Sequence, residues 1–319
     1  MFVSLLSWLL AVVHVAAGEP AEAAQQARVL AHVLEPGEAR SHSVVLELAT
    51  RMSVRTGKEE EVRRTSTLVS FRVGSLGLRR ASAEAAVVEL AVRDFRLGVL
   101  TKTGPSVVEV MMDDEGMMLR RGDEKPRRVP WSNVPRGRGG EVGELIGRAM
   151  SCTIDRRANV LKLDGRMAAW SRVLDSVDLT PLVVPLVPLP AMEVEPGETW
   201  TVKYEARRVQ LSRPWGEMEI DTRTEVTFVG FEQHEGAMVV RLAFVSAATH
   251  LKEQSRLKYE LSLAGTMLLG LDGAVIGGEA TVTVVAAASA IDAHYELVGT
   301  GTLQFNPPGE DALVEGAPE

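Results

Sequence analysis

Apolar and polar residues alternate with a period of two along most of this chain. Val44, Leu46, Leu48, Met52 and Val54 share one parity, followed by Val69, Phe71 and Val73, then Val88, Leu90 and Val92. Val108, Val110 and Met112 lead into Asp113-Asp114-Glu115-Gly116, and the chain returns through Met117 to Leu119, which is a hairpin pattern. After residue 197 the alternation is almost unbroken: Trp200, Val202, Tyr204; Met218, Ile220, Val226, Phe228; Val240, Leu242, Phe244. Leu257, Tyr259, Leu261, Leu263, Met267, Leu269 and Leu271 keep one parity, with Gly265 interrupting. A strand of that length must coil, and Gly265 and Gly270 are the expected bend points. Asp272-Gly273 predicts the next hairpin turn. Tyr295, Leu297, Gly299, Gly301, Leu303 and Phe305 predict the last strand. Alternation of this kind buries one sheet face and wets the other, as antiparallel sheets do.

Three stretches break the pattern. Residues 120–140 hold three prolines, several glycines and seven basic residues, which predicts a basic loop or irregular edge. Residues 166–177 place Met167, Trp170, Leu174 and Val177 at helical spacing, with Asp164 able to cap the start. Residues 181–196 hold five prolines and must run extended.

The order of elements repeats. Glu35-Pro36-Gly37-Glu38 recurs as Glu195-Pro196-Gly197-Glu198, Thr65 to Phe71 as Thr222 to Phe228, and Val87 to Ala91 as Val239 to Ala243. Gly147, Asp155 and Val160 match Gly265, Asp272 and Val275 more loosely. The expected fold is therefore mainly β, with two similar antiparallel modules of half-barrel-like curved sheet and a minor α-helix. The first module spans 30–180, 181–196 is the connector, the second spans 197–306, and 307–319 is a disordered tail.

Residues 1–18 are uncharged and apolar and end in Val15-Ala16-Ala17-Gly18. That is short for a membrane span and fits a cleaved signal peptide, although no basic residue opens it. The expected compartment is the periplasm or the exterior. Cys152 is the one cysteine in the chain, so stability must come from a large core and not from a disulfide. The formal net charge of −8 argues against general nucleic-acid binding.

Motifs for chemistry are sparse. Five histidines follow the leader (His32, His42, His234, His250, His294), none at metal-pair spacing. Gly74-Ser75-Leu76-Gly77 is one residue short of a nucleophile elbow. The acidic turn at 113–116 reads as a solvated hairpin tip before it reads as a calcium loop. Met111, Met112, Met117 and Met118 read as core and edge cover before they read as a copper site. No cofactor or metal is expected.

The order of elements resembles a family of uncharacterised bacterial secreted proteins, known as a domain of unknown function. The resemblance rests on Glu144-Leu145-Ile146-Gly147, on Asn159 to Gly165, on Pro188-Leu189-Pro190, on Val194 to Trp200, and on Leu263-Ala264-Gly265 with Leu271-Asp272-Gly273. It covers most of 35–290 and implies a secreted, envelope-facing, β-rich protein with no assigned activity.

The functional expectation is a non-enzymatic binding or envelope-associated protein. A concave face lined by Leu257, Tyr259, Leu261, Leu263 and Met267 would hold a lipid or other hydrophobic ligand; the plainer reading is ordinary sandwich core. Arg127, Arg128, Trp131, Arg136 and Arg138 would dock on anionic envelope lipid or an envelope protein; the plainer reading is a solvated loop. Other readings are a secreted hydrolase without a sequence motif and a purely structural interaction module. For a hydrolase the candidates are His42, His234, His250, His294, Asp272 and Asp292. A histidine within reach of a carboxylate and a nucleophile in a concave site would mark one.

Overall fold

The computed structural model describes residues 28–29, 39–81, 85–103, 106–134, 148–155, 160–164, 193–210, 214–250 and 256–306, with Leu145, Ile146, Arg166, Trp170, Val173, Leu174, Val177, Leu189 and Pro190 besides. The expected leader, the first Glu-Pro-Gly-Glu turn and the acidic tail lie outside the described residues.

The described chain is almost entirely antiparallel sheet. In order come β1 (Arg28–Val29), β2 (Ala39–Thr56), β3 (Glu59–Ala81), β4 (Ala85–Thr103), β5 (Ser106–Met112), β6 (Gly116–Arg121), β7 (Arg127–Pro130), β8 (Ala149–Asp155) and β9 (Val160–Leu163). There follow β10 (Glu193–Val194), β11 (Thr199–Gln210), β12 (Glu217–His234), β13 (Ala237–His250), β14 (Leu257–Gly270), β15 (Val275–Ser289) and β16 (His294–Phe305). Fourteen of these strands form one curved sheet, in the order β11-β12-β13-β14-β15-β16-β2-β3-β4-β5-β6-β7, with β8 on β4 and β9 on β8. β1 and β10 make a separate two-stranded pair.

The period of two does what it implies. In β2 the side chains of Val44, Leu46 and Leu48 are buried while Glu47 and Ala49 face out. In β15 Ala280, Val282, Val284, Ala286 and Ala288 point in, and Glu279, Thr281 and Val285 point out. The inward rows of both sequence halves belong to one hydrophobic core. Phe71, Phe95 and Trp170 meet in it, with Trp170 centred 6.1 Å from Phe71 and 5.4 Å from Phe95.

The two halves share a single sheet. They join where β16 pairs with β2, from His294 opposite Arg55 to Phe305 opposite Val44. Gly301 lies at this seam, and a methyl group there would collide with the backbone of Glu47 and Leu48. Asn306 closes the seam in a left-handed conformation (φ 44°). Its Oδ1 accepts from Ser43 N at 2.7 Å and its Nδ2 donates to Val275 O at 2.6 Å.

The segments matched in sequence all fall on strands: 65–71 on β3 and 222–228 on β12, 87–91 on β4 and 239–243 on β13. Leu90 opposes Met150 and Val88 opposes Cys152, as Leu242 opposes Met267 and Val240 opposes Leu269. The β3–β4 register differs from the β12–β13 register: Leu90 faces Leu76, whereas its sequence match Leu242 faces Phe228, the match of Phe71. β3 runs further before it turns, and bulges at Ser70/Arg72, Val73/Ser75 and Leu78/Arg80 interrupt its pairing with β4.

Within 166–177 the described positions are two turn residues, a bend, a single 3-10 position and, at Val177, irregular chain, none of them in an α-helix, and the remainder lies outside the described residues. Trp170, Leu174 and Val177 are buried all the same. Asp164 does cap a turn, accepting from Arg166 N at 2.9 Å. The stripe of apolar positions thus marks what is buried.

Candidate functional site

The apolar face of β14 is closed. Tyr259, Leu261, Leu263 and Met267 are 4%, 7%, 7% and 3% exposed, and Leu257 packs beside them, half-buried. Their surface is taken up by neighbouring protein, as in a sandwich core.

The basic segment is built into the sheet. Arg127 and Arg128 lie on the edge strand β7, and Arg128 binds the Asp113 carboxylate and Glu115 Oε2. Asp113 also accepts from the backbone of Glu115 and Gly116, so it is occupied in shaping the β5–β6 turn. Trp131 starts a 3-10 turn, packs on the core, and donates its indole N–H to Asp113 O at 2.9 Å. Among the described residues the aromatic and one arginine are thus engaged internally. Arg136 and Arg138 lie outside them. Met112 packs against the core, and Met111 and Met118 pair on the opposite face. No group of three or more metal-ligating side chains occurs among the described residues.

The hydrolase candidates scatter, with one exception. His42 is enclosed on the inward row of β2; burial alone lowers its pKa from 6.5 to about 3, and its Nε2 has no hydrogen-bond partner. His250 Nδ1 lies 2.9 Å from Glu219 O, which makes it a donor to backbone. Asp272 shapes its turn by accepting from Ala274 N, and Asp292 lies in the turn between β15 and β16, not on a strand face. His294 is the exception. Its Nε2 is 3.0 Å from Glu296 Oε1 and its Nδ1 is 2.9 Å from Ser289 Oγ. A carboxylate only accepts, so Nε2 carries the proton, and in the neutral ring Nδ1 accepts the serine hydroxyl. This serine-histidine-carboxylate line sits at the end of a hairpin, with His294 40% and Glu296 51% exposed. Cys152 is buried in β8, which pushes its thiol up to about 12, so it is no nucleophile.

An open hollow of about 810 Å³ lies on the polar face over β16, β2, β3 and β4. That volume is within the range of small-molecule sites. Val298, Arg51, Arg64 and Lys102 stand in one row across the four strands, each opposite the next. Ser53, Ser66, Thr300 and Leu100 stand in its walls, Arg55 and Glu296 lie at the rim next to His294, and Glu60 lies opposite Arg55. The sequence reading missed this place because its residues come from four distant segments. Their outward parity was legible, but the pairing that aligns them was not.

No family model matches the chain, and no curated protein matches it either. Among solved structures it is similar to the COG4313 outer membrane channel of Pseudomonas putida F1, at 9% identity and a TM-score of 0.24, covering 91% of this chain and 99% of that one. It is also similar to OccK11 of Pseudomonas aeruginosa, at 8% identity and a TM-score of 0.17, covering 86% of this chain and 98% of that one.

Proposed function

We propose that the chain is an exported, water-soluble, non-enzymatic binding protein that meets its ligand on the polar face of the sheet. One observation carries this reading: among the described residues the inward apolar rows are buried, while an open hollow lies on the charged face. A membrane-spanning barrel needs the opposite sign, with an apolar band outward and polar groups inward. Here Asp221, Arg223 and Glu225 of β12 and Glu47, Arg51 and Arg55 of β2 face out, opposite to the buried rows. The uncharged apolar leader and the resemblance to secreted β-rich proteins support export.

The test is fractionation with N-terminal sequencing. The mature chain is expected in the soluble periplasmic or culture fraction, beginning near Gly18 or Glu19. A chain that requires detergent for release, with Met1 intact, overturns the reading.

Ser289, His294 and Glu296 favour a second reading, a hydrolase. Catalysis of that kind needs oxyanion donors around the reacting carbon and exclusion of water, and this line stands at an open hairpin end. A fluorophosphonate probe should leave Ser289 unlabelled. Labelling that Ser289→Ala abolishes would replace the binding reading with the hydrolase.

A further inference from the structure

We infer that the hollow over β16, β2, β3 and β4 is a binding site for phosphate groups, gripped by Arg51, Arg64 and Lys102. The inference rests on the binding reading above and names the ligand's chemistry.

Arg51 lies directly opposite Arg64, and Arg64 directly opposite Lys102. Adjacent strands are about 4.8 Å apart, so the three cationic side chains spring from backbone within about 10 Å. Like charges set opposite each other across a sheet destabilise it. Other arginines are neutralised: within the hollow Arg55 has Glu60 at 3.9 Å, and elsewhere Arg63 is paired with Glu61, Arg128 with Asp113 and Glu115, Arg223 with Glu225 and Arg241 with Glu232. Among the described residues no carboxylate pairs with Arg51, Arg64 or Lys102. Glu296, the acid nearest this row along β16, is engaged by His294. A chain of net charge −8 thus lines one concavity with four cations (Arg51, Arg55, Arg64, Lys102) against two carboxylates (Glu60, Glu296), and three of the cations have no carboxylate partner among the described residues.

Guanidinium forks match phosphate oxygens bidentately, and an ammonium adds a point charge beside them. The hydroxyls of Ser53, Ser66 and Thr300 offer further donors, and Val298 and Leu100 offer an apolar wall for whatever carries the phosphate. Two sources share this chemistry: a soluble phosphate ester and a phospholipid head.

The full chain is titrated with inorganic pyrophosphate by calorimetry at low salt. Saturable binding is expected, weakened about tenfold or more in Arg51→Gln/Arg64→Gln, since each charge-assisted contact is worth about that factor. Lys258→Gln, a cation outside the hollow, should leave binding unchanged. The double variant should melt no lower than the parent, because it relieves like-charge repulsion; Lys102→Gln supplies a milder variant should the double one misfold. Sedimentation with phosphatidylglycerol vesicles then separates the sources. Vesicle binding released by pyrophosphate assigns a lipid head, and pyrophosphate binding without vesicle binding assigns a soluble ester. The inference falls if the parent binds neither probe, or if Arg51→Gln/Arg64→Gln and Lys102→Gln all bind as the parent does. A chain that needs detergent for release fails earlier, at the reading on which the inference rests.

Discussion

At neutral pH the His42 imidazole is uncharged, enclosed and short of one hydrogen-bond partner. Its folded pKa of about 3 lies below the unfolded value of 6.5. In that window the unfolded chain takes up a proton that the folded chain refuses, so stability falls as pH falls. The slope approaches about 1.4 kcal/mol per pH unit. Denaturant midpoints should therefore record a loss of about 2 kcal/mol between pH 7.5 and pH 5. His42→Leu should abolish that slope and match or exceed the parent at pH 7.5, since it removes an unsatisfied buried nitrogen. A steep slope surviving in His42→Leu would assign the acid response to other groups. At the same scale, native Cys152 should resist a thiol reagent that modifies it rapidly in urea, because burial holds it protonated. His294→Ala should shift stability by no more than about 0.5 kcal/mol, its ring being on the wet side of β16.

At the scale of strands, the close approach at Gly301 can be tested directly. Its missing side chain lets β16 lie against the backbone of Glu47 and Leu48. Gly301→Val should cost about 3 kcal/mol in equilibrium unfolding through overpacking against backbone that cannot swing aside. Thr302→Val, one residue on and facing out, should stay within about 0.5 kcal/mol. Strands were the legible part of this chain, because one wet face and one buried face leave a period of two. The Asp272-Gly273 turn was legible for a local reason: Gly273 has φ of 80°, which glycine adopts freely. Residues 166–177 misled, since spacing that suits a helix also describes Trp170, Leu174 and Val177 reaching one core from turns. The expected bend at Gly270 falls beside a register shift between Leu268 and Leu269, whereas Gly265 marks a close approach to Ala280.

At the scale of the molecule, strand pairing was what the sequence could not disclose. Nothing local in His294 to Phe305 names β2 as its partner, and Arg51, Arg64 and Lys102 became neighbours only through pairing of that long range. The sequence-matched residues pair alike at β4–β8 and β13–β14 and differently at β3–β4 and β12–β13, where three bulges interrupt β3. The seam between β16 and β2 has a kinetic side. The Ser43–Asn306 contact spans 263 residues of chain, and closing so long a loop is slow and comes late. Until the final strand arrives, β2 and β15 each present an unpaired edge, the feature that templates aggregation. A chain truncated after Ala293 should therefore be recovered in inclusion bodies, although most of the core residues are already present in it. Synthesis of β16 would then act as the trigger for folding, and a chain that has not reached it would stay open at both edges.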